Sequence, residues 1–400
     1  MYKKVLYILL FLLLAGFITP PLQASEETGK LIENLGSNDP NTLQAARERL
    51  TEMGSEAVPI LIEALKNKNK TIRTEAVYIL GYTGDLRASR PLIELLKEQD
   101  KDLVILSINS LSYIRALDAV PSIVEFLKNN DVDIRLTAVT ALGTIGDKKA
   151  IPHLIETLKN DKDKGVRSAA ANSLSYMYDK KAEKPLIEAL KDTDSEVRAA
   201  AASALGCIKG KETLDSLSNV LTSDKSPDVR SAAAVSLSYF PSEKSMKALI
   251  RALQDKESSV RYNAASSLQY MFYPEATGAL IELLKKEKDQ NIKVTAIYSL
   301  GALKNPEALD ILINMLKDPD SSIRIAAVSS LSYYKEDRVI DILIKMLDDK
   351  EINVRYTVIT ALSAIGGEKA LSPILTALKD SNSDIRSNAA SSLSYIKDDK

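Results

Sequence analysis

Residues 149–177 read KAIPHLIETLKNDKDKGVRSAAANSLSYM, and the spacing of their apolar residues decides the fold. Val166, Ala170, Leu174 and Met177 fall at i, i+4, i+8 and i+11, one stripe along an α-helix. Ahead of them Ile151, Leu154, Ile155 and Leu158 make a second, shorter stripe. Pro152 sits in the first turn of that earlier helix, where its missing N–H costs nothing, and Lys159 stands at the carbonyl end of its dipole. Asn160–Lys164 is the polar turn between them. The segment is a helical hairpin, helix A then helix B, and neither helix can bury its stripe alone.

The hairpin recurs. Leu174 belongs to a column of eleven leucines from Leu80 to Leu393, always 31 or 32 residues apart. Seven residues before the leucine stand Arg73, Arg135, Arg167, Arg198, Arg230, Arg261, Arg324, Arg355 and Arg386, with Val104 and Lys293 at the other two places. Four residues before it the column is alanine except at Ser107 and Val358, small enough to let neighbouring B helices approach closely. Repeats of this kind stack and bury one continuous core.

The pattern of Asp131–Gly146, Asp-x-x-x-Arg-x-x-Ala-x-x-x-Leu-Gly-x-Ile-Gly in outline, resembles the short HEAT-like repeat of the phycobilisome-lyase type. The resemblance implies an all-α, right-handed α-solenoid of about twelve two-helix HEAT-like repeats. It implies no single function, because the same repeat builds scaffolds, bilin lyases and a hydroxylase. Residues 25–54 form a degenerate N-terminal capping repeat, with Arg47, Glu48 and Arg49 where later B helices carry apolar or small residues. Residues 25–400 read as one repeat domain, with a bare C-terminal end after Ile396.

Residues 1–24 stand apart. Lys3 and Lys4 precede an uncharged stretch from Val5 to Ile18, then Pro20, Pro21 and Leu22-Gln23-Ala24. This is the layout of a secretory signal peptide cut after Ala24, and it places the chain outside the cytoplasm, periplasmic or extracellular. The apolar stretch is short of the ~20 residues that span a bilayer, so membrane contact is expected only through an uncleaved signal. One cysteine, Cys207, leaves no internal disulfide; its apolar setting in Ala-Leu-Gly-Cys-Ile reads as a buried structural thiol.

The charges nearly cancel, Lys+Arg 53 against Asp+Glu 54, so no nucleic-acid footprint is expected. His153 is the only histidine, and no metal or cofactor spacing accompanies it. The arginine column reads as a structural ladder, since acids such as Asp131, Asp163 and Asp320 recur four residues ahead of it and a guanidinium fork can bridge turn carboxylates and carbonyls. Tyrosine follows the column leucine by two at Tyr82, Tyr113, Tyr176, Tyr239, Tyr270, Tyr333 and Tyr395, so Ser-Leu-Ser-Tyr units alternate with Ala-Leu-Gly units, with one slip between Tyr239 and Tyr270. Two readings stand for these rings. They fill space left by Gly and Ala in the next unit, or they form a spaced row of binding anchors.

The B-helix face away from the core is small and uncharged: Ser168, Ala171, Asn172 and Ser175 in one unit, Ser231, Ala234, Val235 and Ser238 in another. Ile105 with Ile108, Val294 with Ile297 and Ile325 with Val328 make greasier patches there. By analogy with other solenoids this is the concave surface. The expected function is an exported scaffold that binds a protein or peptide on that surface, with Tyr113, Tyr176, Tyr239, Tyr270, Tyr333, Tyr395, Asn172 and Ser168 as contacts. The alternative is a phycobilisome-lyase-like enzyme or a factor that modifies a chromophore or a protein.

Overall fold

The computed structural model describes residues 22–394; most of the signal reading, and Tyr395, lie outside the described residues. Helices A and B alternate through all of them in twenty-four α-helices, joined by short turns and single 3₁₀ turns, with no strand among the described residues. The described residues fall into two compact units that divide between Asp179 and Lys180. The first helix, Leu22–Asn34, starts three residues ahead of the domain boundary expected at residue 25. Among the described residues no helix is long and apolar enough to cross a membrane.

In the first unit the B helices are Pro40–Glu52, Lys70–Thr83, Lys101–Tyr113, Val132–Ile145 and Lys164–Met177. Consecutive B helices from Lys70–Thr83 onward lie side by side, and each packs on its own A helix, as Ile151–Asn160 does on Lys164–Met177. The second unit repeats the arrangement with Ser195–Ile208, Pro227–Leu237, Ser258–Gln269, Gln290–Leu303, Ser321–Leu331, Ile352–Ile365 and Ser383–Leu393 as B helices. The core is the leucine column: Leu80 to Leu362 are fully buried at every repeat, while Leu393 is only half-buried. A fully buried leucine contributes about 1.5–3 kcal/mol of hydrophobic free energy, and in the hairpin around Leu174 it is joined by Ile151, Leu154, Leu158, Val166 and Ala170, each at most 2% exposed.

The acids four residues ahead of the arginine column, which is Val104 and Lys293 in two repeats, have a local task. Asp100, Asp131, Asp163, Asp194, Asp289 and Asp320 are N-caps whose carboxylates accept hydrogen bonds from the first free N–H groups of helix B. At the other end the chain turns through a left-handed residue. Gly84 and Gly146 serve there at φ 68° and 76°, but Arg115, Tyr178, Lys209, Phe272 and Lys304 adopt φ of 50–55° in its stead. A side chain in that region costs roughly 1 kcal/mol that glycine avoids.

Adjacent B helices touch through a Ser-on-Gly contact. The residue before the column leucine is serine in the Tyr-bearing hairpins other than that of Tyr82, and in four repeats it lies against the glycine that follows the leucine one repeat earlier. Ser110 meets Gly81, Ser173 meets Gly143, Ser236 meets Gly206 and Ser330 meets Gly301. A Cβ on any of these glycines would sit 2.6–2.9 Å from the serine Cβ. Most of these hydroxyls are also satisfied. Ser110 donates to the Val77 carbonyl, Ser173 to Val139 and Ser330 to Ile297, at 2.9–3.0 Å. The space at each glycine is thus filled by a serine, and the tyrosine rings lie elsewhere.

Candidate functional site

The arginines are occupied. In the first unit Arg135 is 4% exposed; its Nε and Nη2 donate to the two oxygens of Asp161, and its Nη1 donates to the Asn129 and Asn130 carbonyls. In the second unit Arg198, Arg230, Arg261 and Arg324 fork onto Asp224, Asp255, Glu287 and Asp349 in the same way. The carboxylate that takes each guanidinium is therefore not the N-cap four residues ahead of it. It belongs to the next hairpin's turn, 25 or 26 residues downstream.

The same turn residue offers its carbonyl to the following arginine, so Asp224 accepts from Arg198 through its carboxylate and from Arg230 through its backbone oxygen. At Asp224, Asp255 and Asp349 burial works against ionisation, but the guanidinium and a backbone N–H outweigh it and hold the carboxyl below its usual range. Arg261 does this most strongly, holding Glu287 at about 2. Arg355 reaches Asp380 only at 3.8 Å, and Arg386 donates to the Asp380 and Ser381 carbonyls. In the first unit Arg73 bonds the Asn67 carbonyl and comes within 3.9 Å of Glu98, while its buried Nε has no partner. Arg167 donates to the Asp161 and Lys162 carbonyls.

The tyrosines are on the surface. Tyr176 is 69% exposed, Tyr113 60% and Tyr239 52%, with Tyr82, Tyr270 and Tyr333 likewise exposed. They follow the column leucine by two, which rotates them off the buried stripe. Ser168 and Asn172 precede Tyr176 at spacings of eight and four, and all three lie on one solvent-facing stripe of Lys164–Met177, Ser168 half-buried and Asn172 exposed. In the first unit Tyr82 bridges Tyr78 and Tyr113 with ring centroids 4.7 and 5.9 Å apart. The Arg47 guanidinium lies 5.4 Å from the Tyr78 ring and forks onto Glu75. The N-terminal hairpin's charges thus include an ion pair that borders the rings. In the second unit Lys209 lies over Tyr239 at 5.9 Å and Lys304 over Tyr333 at 5.4 Å.

Three expectations fail against these facts. Cys207 is exposed, because it occupies the tyrosine position two residues after Leu205 while Gly206 and Ile208 take the buried ones. Ala171, Ala234, Ile108, Ile297 and Val328 are fully buried. They precede the column leucine by three, and a B helix flanked by neighbours on both sides buries that position as well as its A-facing stripe. Only Ile105, Val294 and Ile325 of the greasy pairs reach solvent, each half-buried. The left-handed residues beside the tyrosines escaped sequence reasoning; the one available signal was a large side chain aligned with Gly84 and Gly146.

His153 is exposed, and among the described residues no group of three or more His, Cys, Asp or Glu is placed to hold a metal.

HEAT repeats match residues 28–112, 90–175, 154–238, 214–293, 277–351 and 340–400, nearly the whole chain. No curated protein matches it. Among solved structures, Kap95p with RanGDP is 14% identical and has a TM-score of 0.66, over 93% of this chain and 60% of that one. Kap121p, also 14% identical, has a TM-score of 0.55 over 94% of this chain and 49% of its own, and it is seen bound to Ste12p as well. The chain therefore spans about 60% of Kap95p and half of Kap121p, and at these identities the likeness is one of fold. Repeated hairpins, a leucine core and matches along nearly the whole length make this chain a member of the HEAT-repeat family.

Proposed function

We propose that the protein is an exported scaffold that holds a protein or peptide partner on the solvent-facing stripe of its B helices, and that it is not an enzyme. The observation that carries this reading is the row of exposed tyrosines on a helix face that is otherwise small and uncharged. A tyrosine brings a large rigid ring and one hydroxyl at low entropic cost, which is why it anchors interfaces. Export rests on the layout of residues 1–24, and we assign the repeats to the short phycobilisome-lyase-type form on the Asp131–Gly146 pattern. That Kap121p is seen bound to Ste12p supports the use of this architecture for holding polypeptides.

Cys207 gives a direct test, because it is the only thiol and sits in the tyrosine column. A photoreactive maleimide on Cys207, activated in the native envelope, should trap a polypeptide in a yield that falls in Tyr239→Ala/Tyr270→Ala. Trapping of no polypeptide, or equal yield from both proteins, refutes the reading. Export is checked separately by N-terminal sequencing of the secreted protein, which should begin at Ser25.

A further inference from the structure

In the first unit the hairpins with B helices Lys70–Thr83 and Lys101–Tyr113 share one edge. Tyr82 and Tyr113 lie at the C-terminal ends of those helices, with ring centroids 5.9 Å apart. One tight turn later Leu86 and Leu117 open the 3₁₀ turns Leu86–Ala88 and Leu117–Ala119. The Ser89 hydroxyl donates to Asp118 at 2.6 Å and ties the start of one A helix to the neighbouring turn. All four large side chains are 59–61% exposed. The leucines are particular to this edge, for the same place holds Lys148, Lys180, Pro274 and Pro306 in other hairpins. Arg115 stands in the turn between Tyr113 and Leu117, exposed and at φ 52°, where Gly84 and Gly146 serve in the flanking repeats. Strain of that kind is kept where the side chain it presents is used.

We propose that this edge docks a short acidic, apolar peptide segment of a partner, which extends the scaffold reading to the turns of the first unit and rests on it. Size selects a segment. Four large side chains exposed to this extent present on the order of 400 Å², the scale of a functional patch. A stable protein–protein or homodimer interface takes about 800 Å² from each side, so the edge suits a few residues of chain and not a domain or a second copy. Charge selects the composition. Beside the patch stand Arg87, Arg90 and Arg115 against Asp85 and Asp118. Both carboxylates are engaged, Asp85 by the Arg87 fork and Asp118 by Ser89. Neither Arg90 nor Arg115 makes an ion pair among the described residues. The flanking turns add Glu56 on one side and Lys148 and Lys149 on the other, so the balance stays positive. A carboxylate on the Arg115 fork, with apolar neighbours on the leucines and rings, uses every one of these groups, and tyrosine and arginine are the side chains that anchor interfaces.

The test uses the full chain and a dye-labelled peptide of alternating Asp and Leu, followed by fluorescence anisotropy. Saturable binding is expected, weakened about tenfold or more in Leu86→Ser/Leu117→Ser, where both changes are on the surface. Arg115→Gly should weaken binding as well, with the urea midpoint kept or raised, because glycine takes the left-handed turn without strain. Lost binding in that variant is therefore not lost folding. Absence of saturation, or full binding by Arg115→Gly, overturns the proposal. So does equal binding of alternating Lys and Leu, of alternating Asp and Ser, or of a single-stranded oligonucleotide. If the peptide fails while the Cys207 probe still traps a polypeptide, this docking site falls and the scaffold reading stands.

Discussion

Gly301→Ala is the most informative single change, because two effects of known size oppose each other there. In a free helix the substitution would stabilise by about 1 kcal/mol. Here the new Cβ would lie 2.6 Å from the Ser330 Cβ and 2.8 Å from its Cα. Carbon atoms rest at about 3.5–4.0 Å, so the helices Gln290–Leu303 and Ser321–Leu331 must part by nearly 1 Å. Overpacking of that kind costs about 1–3 kcal/mol. Parting the helices also stretches the 2.9 Å bond from Ser330 to the Ile297 carbonyl, worth about 1 kcal/mol. Set against the propensity gain, the net expectation is a loss of about 2 kcal/mol. Repeat arrays do not unfold all at once, so the assay is native-state hydrogen exchange resolved by segment. Amides of those two helices should exchange about thirtyfold faster. Gly278→Ala is the matched control: no atom lies within 4 Å of its new Cβ, and the change should be neutral or stabilise by up to about 1 kcal/mol. If Gly301→Ala slows exchange as Gly278→Ala does, the Ser-on-Gly contact is not what sets the helix spacing.

Four further outcomes follow from the ladder and the exposed column. Arg324→Ala strands Asp349, a buried carboxylate, and should destabilise by about 3–5 kcal/mol, read as a lower urea midpoint. Lys293→Arg places a fork at the rung where lysine now makes no ion pair among the described residues, with Asp318 25 residues downstream; the midpoint should rise by about 1 kcal/mol. Glu287 titrates at about 2 when folded against an ordinary 4.5. Its folded value is the depressed one, so its contribution, at most about 3 kcal/mol, is whole above pH 4.5 and fades as pH falls towards 2. Arg261→Ala should flatten that acid limb of the melting curve. Cys207 should react fully with a thiol reagent in the folded protein; a thiol that reacts only in denaturant would return it to the core.

The sequence carried the hairpin because helix periodicity is local: Val166, Ala170 and Leu174 announce their stripe within one helix. It carried the exposed tyrosines less well, since a residue just past the core stripe can turn either way until its neighbours are placed. The alternation of Ser-Leu-Ser-Tyr with Ala-Leu-Gly was visible, but the contact it brings about at Gly143 and Gly206 joins residues 30 apart, Ser173 and Ser236, and a serine in that column has no signature of its own. The ladder's acids were misjudged for the same reason. Asp131 is near Arg135 in the chain and caps its own helix, whereas Asp161 is 26 residues away and holds the guanidinium. Cys207 was misread because apolar neighbours were taken for burial when the helical register put it two past Leu205.

The rungs have a direction, and it bears on how the chain is made. The guanidinium of Arg135, Arg198, Arg230, Arg261 or Arg324 finds its carbonyls six and five residues behind it, already synthesised, and its carboxylate 25 or 26 residues ahead. A polypeptide emerges N terminus first, from a ribosome or from an export channel, so each of these rungs closes as soon as one more hairpin has emerged. Such short-range closure favours fast folding. A chain halted just after one of these arginines exposes a single open fork at its growing end, however many repeats it has completed.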